Sequence, residues 1–269
     1  IHVLHYGDSH TAADEWTGVI RSLLQARFGD AGPGFTLAGY PFVGFRRLDL
    51  KSGATRRWTS ANTNLGIVLL LTPIARAALA GGEGNLRQRL GRILRSTTVT
   101  DAMEVYTAIQ QAKAGGLGRV DKEDLSRAPS VTLREAMVLA AGRDAIAAEY
   151  VDDYALTFGT GVPAIRAARA AKLGWDEVVL ETFLTLLAQK PDTLIARKLG
   201  AEAAAGVSAR AAAILAAGGV RTPDGRAELD KFDAELRHSG NARNPGTTAD
   251  LTAAALFVAL LEDGWSHER

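Results

Sequence analysis

One short segment combines a turn, a helix start and a carboxylate: residues 244–251, Asn-Pro-Gly-Thr-Thr-Ala-Asp-Leu. Pro-Gly favours a turn, Thr247 or Thr248 can cap a helix, and the apolar run 251–261 can continue it. The start of a helix presents free backbone N–H groups and a partial positive charge, which favour a phosphate or another anion. Asp250 would lie in that first turn, within reach of a metal ion. The plain alternative is an ordinary capped helix, because capping signals are common.

A second motif contains a serine that can act as a nucleophile: Gly7-Asp8-Ser9-His10, after the short apolar run 1–6. It resembles the first block of the SGNH (GDSL-type) esterase and lipase superfamily. By that resemblance Ser9 would attack an ester carbonyl, and its backbone N–H would form part of an oxyanion hole. The rest of that family's site is poorly matched, since one residue too many separates Asp263 from His267. A serine esterase acting through Ser9 is therefore an alternative function, and a structural remnant is the plain alternative.

The composition is that of a folded protein and excludes several function classes. The chain has 269 residues, of which 47% are hydrophobic and 23% charged, and its net charge is +1. That charge gives no basic surface of the kind that binds nucleic acid. No apolar run approaches the ~18 residues of a membrane span. There is no cysteine, and hence no disulfide framework or thiolate zinc site, which fits a cytoplasmic protein.

The elements that would position these residues change in character near residue 60. Residues 1–60 are rich in Gly, Phe, Trp and Arg and begin like an α/β unit, with a short strand and then a helix over 17–28. Residues 62–269 are dominated by Ala and Leu and show helical periodicity. We therefore predict a mainly α fold, a helical bundle preceded by a short α/β-like N-terminal segment. The predicted helices span 66–80, 86–96, 100–113, 131–157, 162–171, 175–189, 192–217, 224–237 and 247–262.

Single residues mark where these helices should begin and end. The plausible caps are Asp101, Thr132, Ser208 and Thr222. The plausible breaks are Gly200, Gly218 and Gly219.

Segments along the second part of the chain resemble, in order and spacing, the triphosphoribosyl-dephospho-CoA synthase family and its relatives in one-carbon metabolism. These segments are residues 62–70, 115–118, 132–137, 140–144, 186–198 and 244–251. The family is all-α, in agreement with the helical periodicity that the residues show independently.

The resemblance implies a transferase that joins ATP to dephospho-CoA, releases adenine and forms the 2′-(5″-triphosphoribosyl) derivative. Such a glycosyl transfer has an oxocarbenium-like transition state, and the triphosphate would be held with Mg²⁺. The expected partners are therefore the small molecules ATP and dephospho-CoA, with no nucleic acid and no membrane; a homo-oligomer is left open. A non-catalytic helical protein that keeps its affinity for nucleotides is a further alternative.

By the same resemblance, three aspartates are candidate catalytic residues: Asp192, Asp250 and Asp144. Asp192 and Asp250 are also the candidate Mg²⁺ ligands, because carboxylate oxygen is a ligand that Mg²⁺ prefers. The candidate substrate-binding residues are Asn62, Asn64, Arg143, Thr193, Arg197, Asn244, Gly246 and Thr247. The amides can recognise hydroxyls or adenine edges, and the arginines can neutralise phosphates. Each has a plain alternative; Asp192, for example, can simply begin a helix.

The chain departs from the family pattern in two ways. The family has a Lys-Pro-Gly segment ahead of the position of Asn62, where this chain has the hydrolase-like residues 1–60. Many members also have an acidic residue where this chain has Lys190. Loss of a first helix and of a basic phosphate contact could abolish catalysis, so a degenerate relative is part of the same prediction.

Overall fold

The computed structural model describes residues 65–112 and 123–263. Within these ranges the protein is helical and contains no β-strand, which confirms the mainly α prediction. The α-helices are α1 (Leu65–Leu79), α2 (Leu86–Arg95), α3 (Val99–Ala112), α4 (Leu133–Ala140), α5 (Ala145–Val151), α6 (Val162–Ala170), α7 (Trp175–Gln189), α8 (Thr193–Leu199), α9 (Ala201–Ala216), α10 (Pro223–Asn241) and α11 (Gly246–Asp263). A π-helix at Thr157–Gly161 precedes α6, and a 3₁₀ turn at Gly219–Arg221 precedes α10. The α/β-like segment predicted for residues 1–60 lies outside the described residues.

The last helix, α11, is the centre of the larger hydrophobic core. It is apolar on all sides, as expected for a helix surrounded by protein, and its buried residues include Leu251, Phe257 and Val258. It packs against α1, α5, α6, α7, α8 and the π-helix. A second core cluster, which includes Leu184, Ile214 and Phe232, joins α7 and α8 to α9 and α10. The start of α11 is therefore held inside the bundle rather than on its surface.

The helix boundaries follow local capping chemistry at some of the predicted positions. Thr132 caps α4 in a capping box with Glu135, and the Thr222 side chain accepts from the Gly225 N–H at the start of α10. Two predicted caps are wrong. Ser208 lies inside α9, where its hydroxyl bonds the carbonyl oxygens of Leu187 and Ala188. Asp101 lies in the first turn of α3 and bonds back to the N–H and hydroxyl of Thr98.

Two long predicted helices are divided in the structure. The helix predicted over 192–217 breaks at Gly200, whose φ of +93° favours glycine. The helix predicted over 131–157 breaks at residues 141–144, where Asp144 begins α5, and again after Val151. These breaks place two aspartates, Asp144 and Asp192, at the starts of short helices.

A buried carboxylate stabilises the second of these breaks. Glu149 is 1% exposed, and its two oxygens accept the backbone N–H groups of Leu156 and Thr157 at 2.8 and 3.0 Å. Burial raises the pKa of Glu149, while these hydrogen bonds favour its ionised form. Asp153 and Tyr154 take positive φ values of 47° and 58° just before the capped amides. The carboxylate thus supplies partners for backbone groups that the π-helix leaves free.

We expect Glu149→Gln to lower the free energy of unfolding by about 1–3 kcal/mol, because its amide NH₂ would face one of the two backbone N–H donors. Urea denaturation followed by circular dichroism measures this change. Glu104→Gln, on the exposed side of α3, is the matched control and should change stability by less than about 0.5 kcal/mol. Equal effects of the two substitutions would contradict the capping role.

One helical stretch, Ala201–Arg221, is long and apolar enough to cross a membrane, and 39% of its most apolar window is buried. The sequence analysis did not single it out. A core helix of a soluble protein satisfies the same criterion, and α9, which makes up most of this stretch, packs against α7 and α8. The finding is therefore weak evidence for a membrane span.

Candidate active site

The candidate aspartates lie at helix starts that meet inside the bundle. Asp250 is the fifth residue of α11, beyond the first turn in which the sequence predicted it. Asp144 is the N-cap of α5, and Asp192 is the N-cap of α8. Negative side chains are favoured at such positions by the partial positive charge of the helix start. The plain alternative for Asp192, that it begins a helix, is therefore correct as far as local structure goes.

Asp192 also caps a second helix. Its Oδ1 accepts the N–H groups of Leu194 and Ile195 at 2.8 and 3.0 Å, at the start of α8. Its Oδ2 accepts the N–H and the hydroxyl of Thr248 at 2.7 and 2.9 Å, at the start of α11. The side chain is buried, at 2% exposure. Asp192 thus performs for α11 the capping that the sequence suggested for Thr247 or Thr248.

Two threonines complete the junction between these helices. The Thr193 hydroxyl lies 3.2 Å from the Thr247 hydroxyl and accepts the Ala145 N–H at 3.2 Å. Both threonine side chains are buried. Thr193 and Thr247 were predicted to bind substrate. In the structure their hydroxyl groups form hydrogen bonds that join α5, α8 and α11.

An ion pair links Asp144 to α8. Arg197 donates from Nη1 to Asp144 Oδ2, while Asp144 Oδ1 caps α5 by accepting from Ile146 and Ala147. The two paired side chains are 18% and 19% exposed. Arg197 Nε is buried and has no hydrogen-bond partner within the described part of the chain. The guanidinium thus keeps donor capacity that its carboxylate partner does not use.

Asp250 lies against the start of α1. A Cβ added to Gly66 would come within 2.0 Å of Asp250 Oδ2, so only glycine fits at this contact. The Ile67 N–H donates to the Asp250 carboxylate. Burial first, and then the negative charges of Asp192 and Asp144, raise the pKa of Asp250 well above its usual value. The Gly66 contact is a feature that sequence analysis missed, although Gly66 belongs to a segment that carries the family resemblance.

The remaining candidate residues differ in their surroundings. Arg143 and Asn244 are exposed, and Gly246 packs closely, since a Cβ there would meet Leu194 Cδ2 at 2.6 Å. Asn62, Asn64 and the glycine-rich segment 115–118 lie outside the described residues, as does the alternative nucleophile Ser9. Their roles stay predictions.

The described residues offer no ready-made metal centre. Nowhere in 65–112 or 123–263 do three or more His, Cys, Asp or Glu side chains group so that they could hold a metal ion. Asp192 does not fit the role of a Mg²⁺ ligand, because four donors already occupy its two oxygens. Among the described residues, the Ile67 N–H donates to Asp250, which leaves lone pairs free. Mg²⁺ at Asp250 stays a prediction.

A surface cleft of about 600 Å³ lies away from the aspartates, between the start of α2 and the end of α5. Its charged lining residues are Glu83, Arg87, Arg92, Arg95, Asp152 and Asp153. The positive and negative side chains balance, and Arg87 and Arg92 donate to backbone carbonyl oxygens. The cleft therefore shows no preference for an anion.

Comparison with known proteins identifies the family. The family model described as "CitG: ATP:dephospho-CoA triphosphoribosyl transferase" matches residues 44–269. This chain belongs to the CitG family. The match includes every described residue of the candidate site and begins before the boundary that sequence analysis placed at residue 62. None of the matches supports the hydrolase resemblance of residues 1–60.

Individual members of the CitG family resemble parts of the chain. A Pseudomonas putida protein named "Probable 2-(5''-triphosphoribosyl)-3'-dephosphocoenzyme-A synthase" is 38% identical over 100 residues, which are 37% of this chain and 35% of that protein. The protein of the same name from Azotobacter vinelandii is 35% identical over 102 residues, 38% of this chain and 34% of its own length. The aligned parts thus span about a third of these curated relatives.

A solved structure agrees with the fold over a longer range. The crystal structure of a candidate triphosphoribosyl-dephospho-CoA synthase from Archaeoglobus fulgidus is 28% identical, with a TM-score of 0.58. The similarity covers 74% of this chain and 83% of that one. The overall helical fold is therefore similar to that of the Archaeoglobus fulgidus protein.

Proposed function

We propose that this chain transfers the triphosphoribosyl group of ATP to the 2′-hydroxyl of dephospho-CoA and releases adenine. The bond between the ribose C1′ of ATP and adenine breaks, and a bond from that carbon to the 2′-oxygen forms. The 2′-hydroxyl loses its proton and adenine gains one, so the reaction balances without an oxidant or a further reactant. The observation that carries the proposal is that Asp250 of α11 interacts electrostatically with Asp144 and Asp192, which begin two neighbouring helices, in a CitG-family chain.

The groups at this junction suit a glycosyl transfer. The transition state carries positive charge on the sugar, which a nearby carboxylate stabilises. Among the described residues, Asp250 has fewer hydrogen-bond partners than Asp144 or Asp192, and we assign it the position nearest the reacting sugar. Its raised pKa also suits a group that takes the proton of the 2′-hydroxyl.

The triphosphate needs positively charged side chains, and Arg197 is a cation held where α5 and α8 begin. Its guanidinium is pre-oriented by Asp144, and charge-assisted bonds from arginine to phosphate are among the stronger hydrogen bonds in proteins. We assign the exposed Arg143 and Asn244 to substrate contacts. Asn62 and Asn64 stay candidate substrate-binding residues by the family resemblance alone. Mg²⁺ enters with the triphosphate as part of the substrate.

The direct test is incubation of the protein with Mg-ATP and dephospho-CoA. Adenine should appear in equal amount to a product that carries the mass of dephospho-CoA plus a triphosphoribosyl group, as followed by chromatography and mass spectrometry. Adenine release that does not require dephospho-CoA would argue for a hydrolase instead. A folded protein that releases no adenine would exclude the transferase.

We expect Arg197→Met to raise KM for ATP by about 10- to 100-fold, since a hydrogen bond to a charged group contributes about 1.5–3 kcal/mol. Steady-state kinetics of adenine release measure this change. Arg237→Met is the matched control, because Arg237 pairs with Asp233 on the exposed side of α10. An unchanged KM in Arg197→Met would remove this residue from the phosphate site.

A further inference from the structure

The carboxylate of Asp192 is fully used by backbone and hydroxyl donors. Two donors come from the start of α8 and two from Thr248 at the start of α11, at 2.7 to 3.0 Å. A carboxylate has about four lone-pair positions, so no position is left for a cation. The 2% exposure of the residue also keeps it from direct contact with a ligand.

The contact between Asp192 and Thr248 is one of two side-by-side contacts between the starts of α8 and α11. Asp192 bonds Thr248, and the next residue, Thr193, bonds Thr247. Thr193 also accepts from Ala145 on α5. We call these four side chains, Asp192, Thr193, Thr247 and Thr248, the helix-start clamp. The clamp sets how the starts of α5, α8 and α11 lie relative to one another.

We propose that Asp192 is a positioning residue of the site and not a ligand of Mg²⁺. The inference rests on the proposed function in one respect: that function makes Asp250 and Arg197 the groups that Asp192 positions. Asp250 follows Thr248 by two residues on α11, and Arg197 follows Asp192 by five on α8. The clamp therefore determines the distance between the carboxylate that faces the sugar and the guanidinium that faces the phosphates.

Two substitutions weaken the clamp from opposite sides. Asp192→Asn keeps an oxygen to cap α8 but places an NH₂ group against the Thr248 N–H. Thr248→Val removes the hydroxyl donor and keeps the backbone, and it carries the test if Asp192→Asn does not fold. Thr252→Val is the matched control, because the buried Thr252 hydroxyl donates to the Thr248 carbonyl oxygen within α11 and to no clamp side chain.

The first readout is amide hydrogen exchange, which needs no turnover. We expect the Thr248 amide and its neighbours in the first turn of α11 to exchange roughly tenfold faster in both clamp variants. In Asp192→Asn the buried Thr248 N–H loses its carboxylate acceptor, and in Thr248→Val the hydroxyl that helps to hold this carboxylate is gone. Thr252→Val should exchange at close to the wild-type rate. Wild-type exchange at the start of α11 in both clamp variants would overturn the proposal.

The second readout is the binding of Mn²⁺ in place of Mg²⁺, with and without ATP, followed by electron paramagnetic resonance. We expect Asp192→Asn to bind Mn²⁺ within about twofold of wild type. Metal affinity falls strongly when a carboxylate that coordinates the metal directly is removed, and the proposal is that Asp192 is not such a carboxylate. A wild-type protein that binds no Mn²⁺ without ATP would agree with the proposal. A tenfold or greater loss of Mn²⁺ affinity in Asp192→Asn, with exchange in α11 unchanged, would show that Asp192 is a metal ligand.

The kinetic readout connects the clamp to the proposed reaction. Both clamp variants should lower kcat for adenine release by roughly tenfold or more, because misplaced reacting groups reduce rate. The Mg²⁺ concentration that gives half-maximal activity should stay at its wild-type value. If the wild-type protein releases no adenine, the proposed function fails while the exchange and metal readouts still decide the role of Asp192.

Discussion

Replacing Gly66 by alanine is expected to lower the rate of adenine release by about 100-fold, which is the effect that a displacement of roughly 1 Å at a reacting group can have. The alanine Cβ would lie 2.0 Å from Asp250 Oδ2 and 2.7 Å from Ile146 Cδ1, so the carboxylate or the start of α1 must move. Overpacking of this kind also costs about 1–3 kcal/mol of stability. Steady-state kinetics and thermal unfolding measure the two effects.

Gly206→Ala is the matched control for this substitution. Gly206 lies inside α9 and is exposed, and an added Cβ would have no atom within 4 Å. Alanine there should stabilise the protein by about 0.5–1 kcal/mol, because glycine disfavours the helix interior. Its activity should match wild type. Wild-type activity in Gly66→Ala would show that the Asp250 carboxylate is not used where the structure holds it.

Asp250→Asn is expected to lower kcat by about 10²- to 10⁴-fold, the usual contribution of a positioned acid–base group. The same change should stabilise the folded protein at neutral pH. The folded-state pKa of Asp250 is raised above its unfolded value, so its ionisation disfavours the folded state. This cost is absent below the unfolded pKa and grows as pH rises toward and through the folded pKa. The stability gain of Asp250→Asn over wild type should therefore increase with pH.

Urea denaturation at several pH values, together with adenine-release kinetics, tests both parts of this prediction. Asp224→Asn is the matched control, since Asp224 is an exposed aspartate in the first turn of α10. It should lose only a few tenths of a kcal/mol, from its interaction with the helix start, and keep full activity. An Asp250→Asn variant that remains active would remove Asp250 from the chemistry. A variant that becomes less stable than wild type as pH rises would contradict the electrostatic cause.

Sequence analysis could place Asp192 at a helix start but could not say what it bonds, and it placed Asp144 inside a longer helix than the structure has. Asp192 followed by Thr193 is a recognisable start of a helix, and the structure confirms that local role. Its second role depends on Thr248, which lies 56 residues further along the chain. No local pattern specifies that partner, because hydrogen bonds over such separations are set by how the helices pack. The same limit applies to Arg197 and Asp144, which are 53 residues apart.

The pattern of apolar residues by itself determined that this protein is helical. The caps at Thr132 and Thr222 and the break at Gly200 also follow from the sequence, because capping and positive φ are local properties of the chain. Only the tertiary structure decided that the starts of α1, α5, α8 and α11 meet near Asp250, and that Gly66 must lack a side chain there. It also decided that the Asp192 carboxylate accepts hydrogen bonds from two helices, α8 and α11. Burial and proximity arise when the helices pack around α11, and they determine which donors the carboxylates bond and why the pKa of Asp250 is raised.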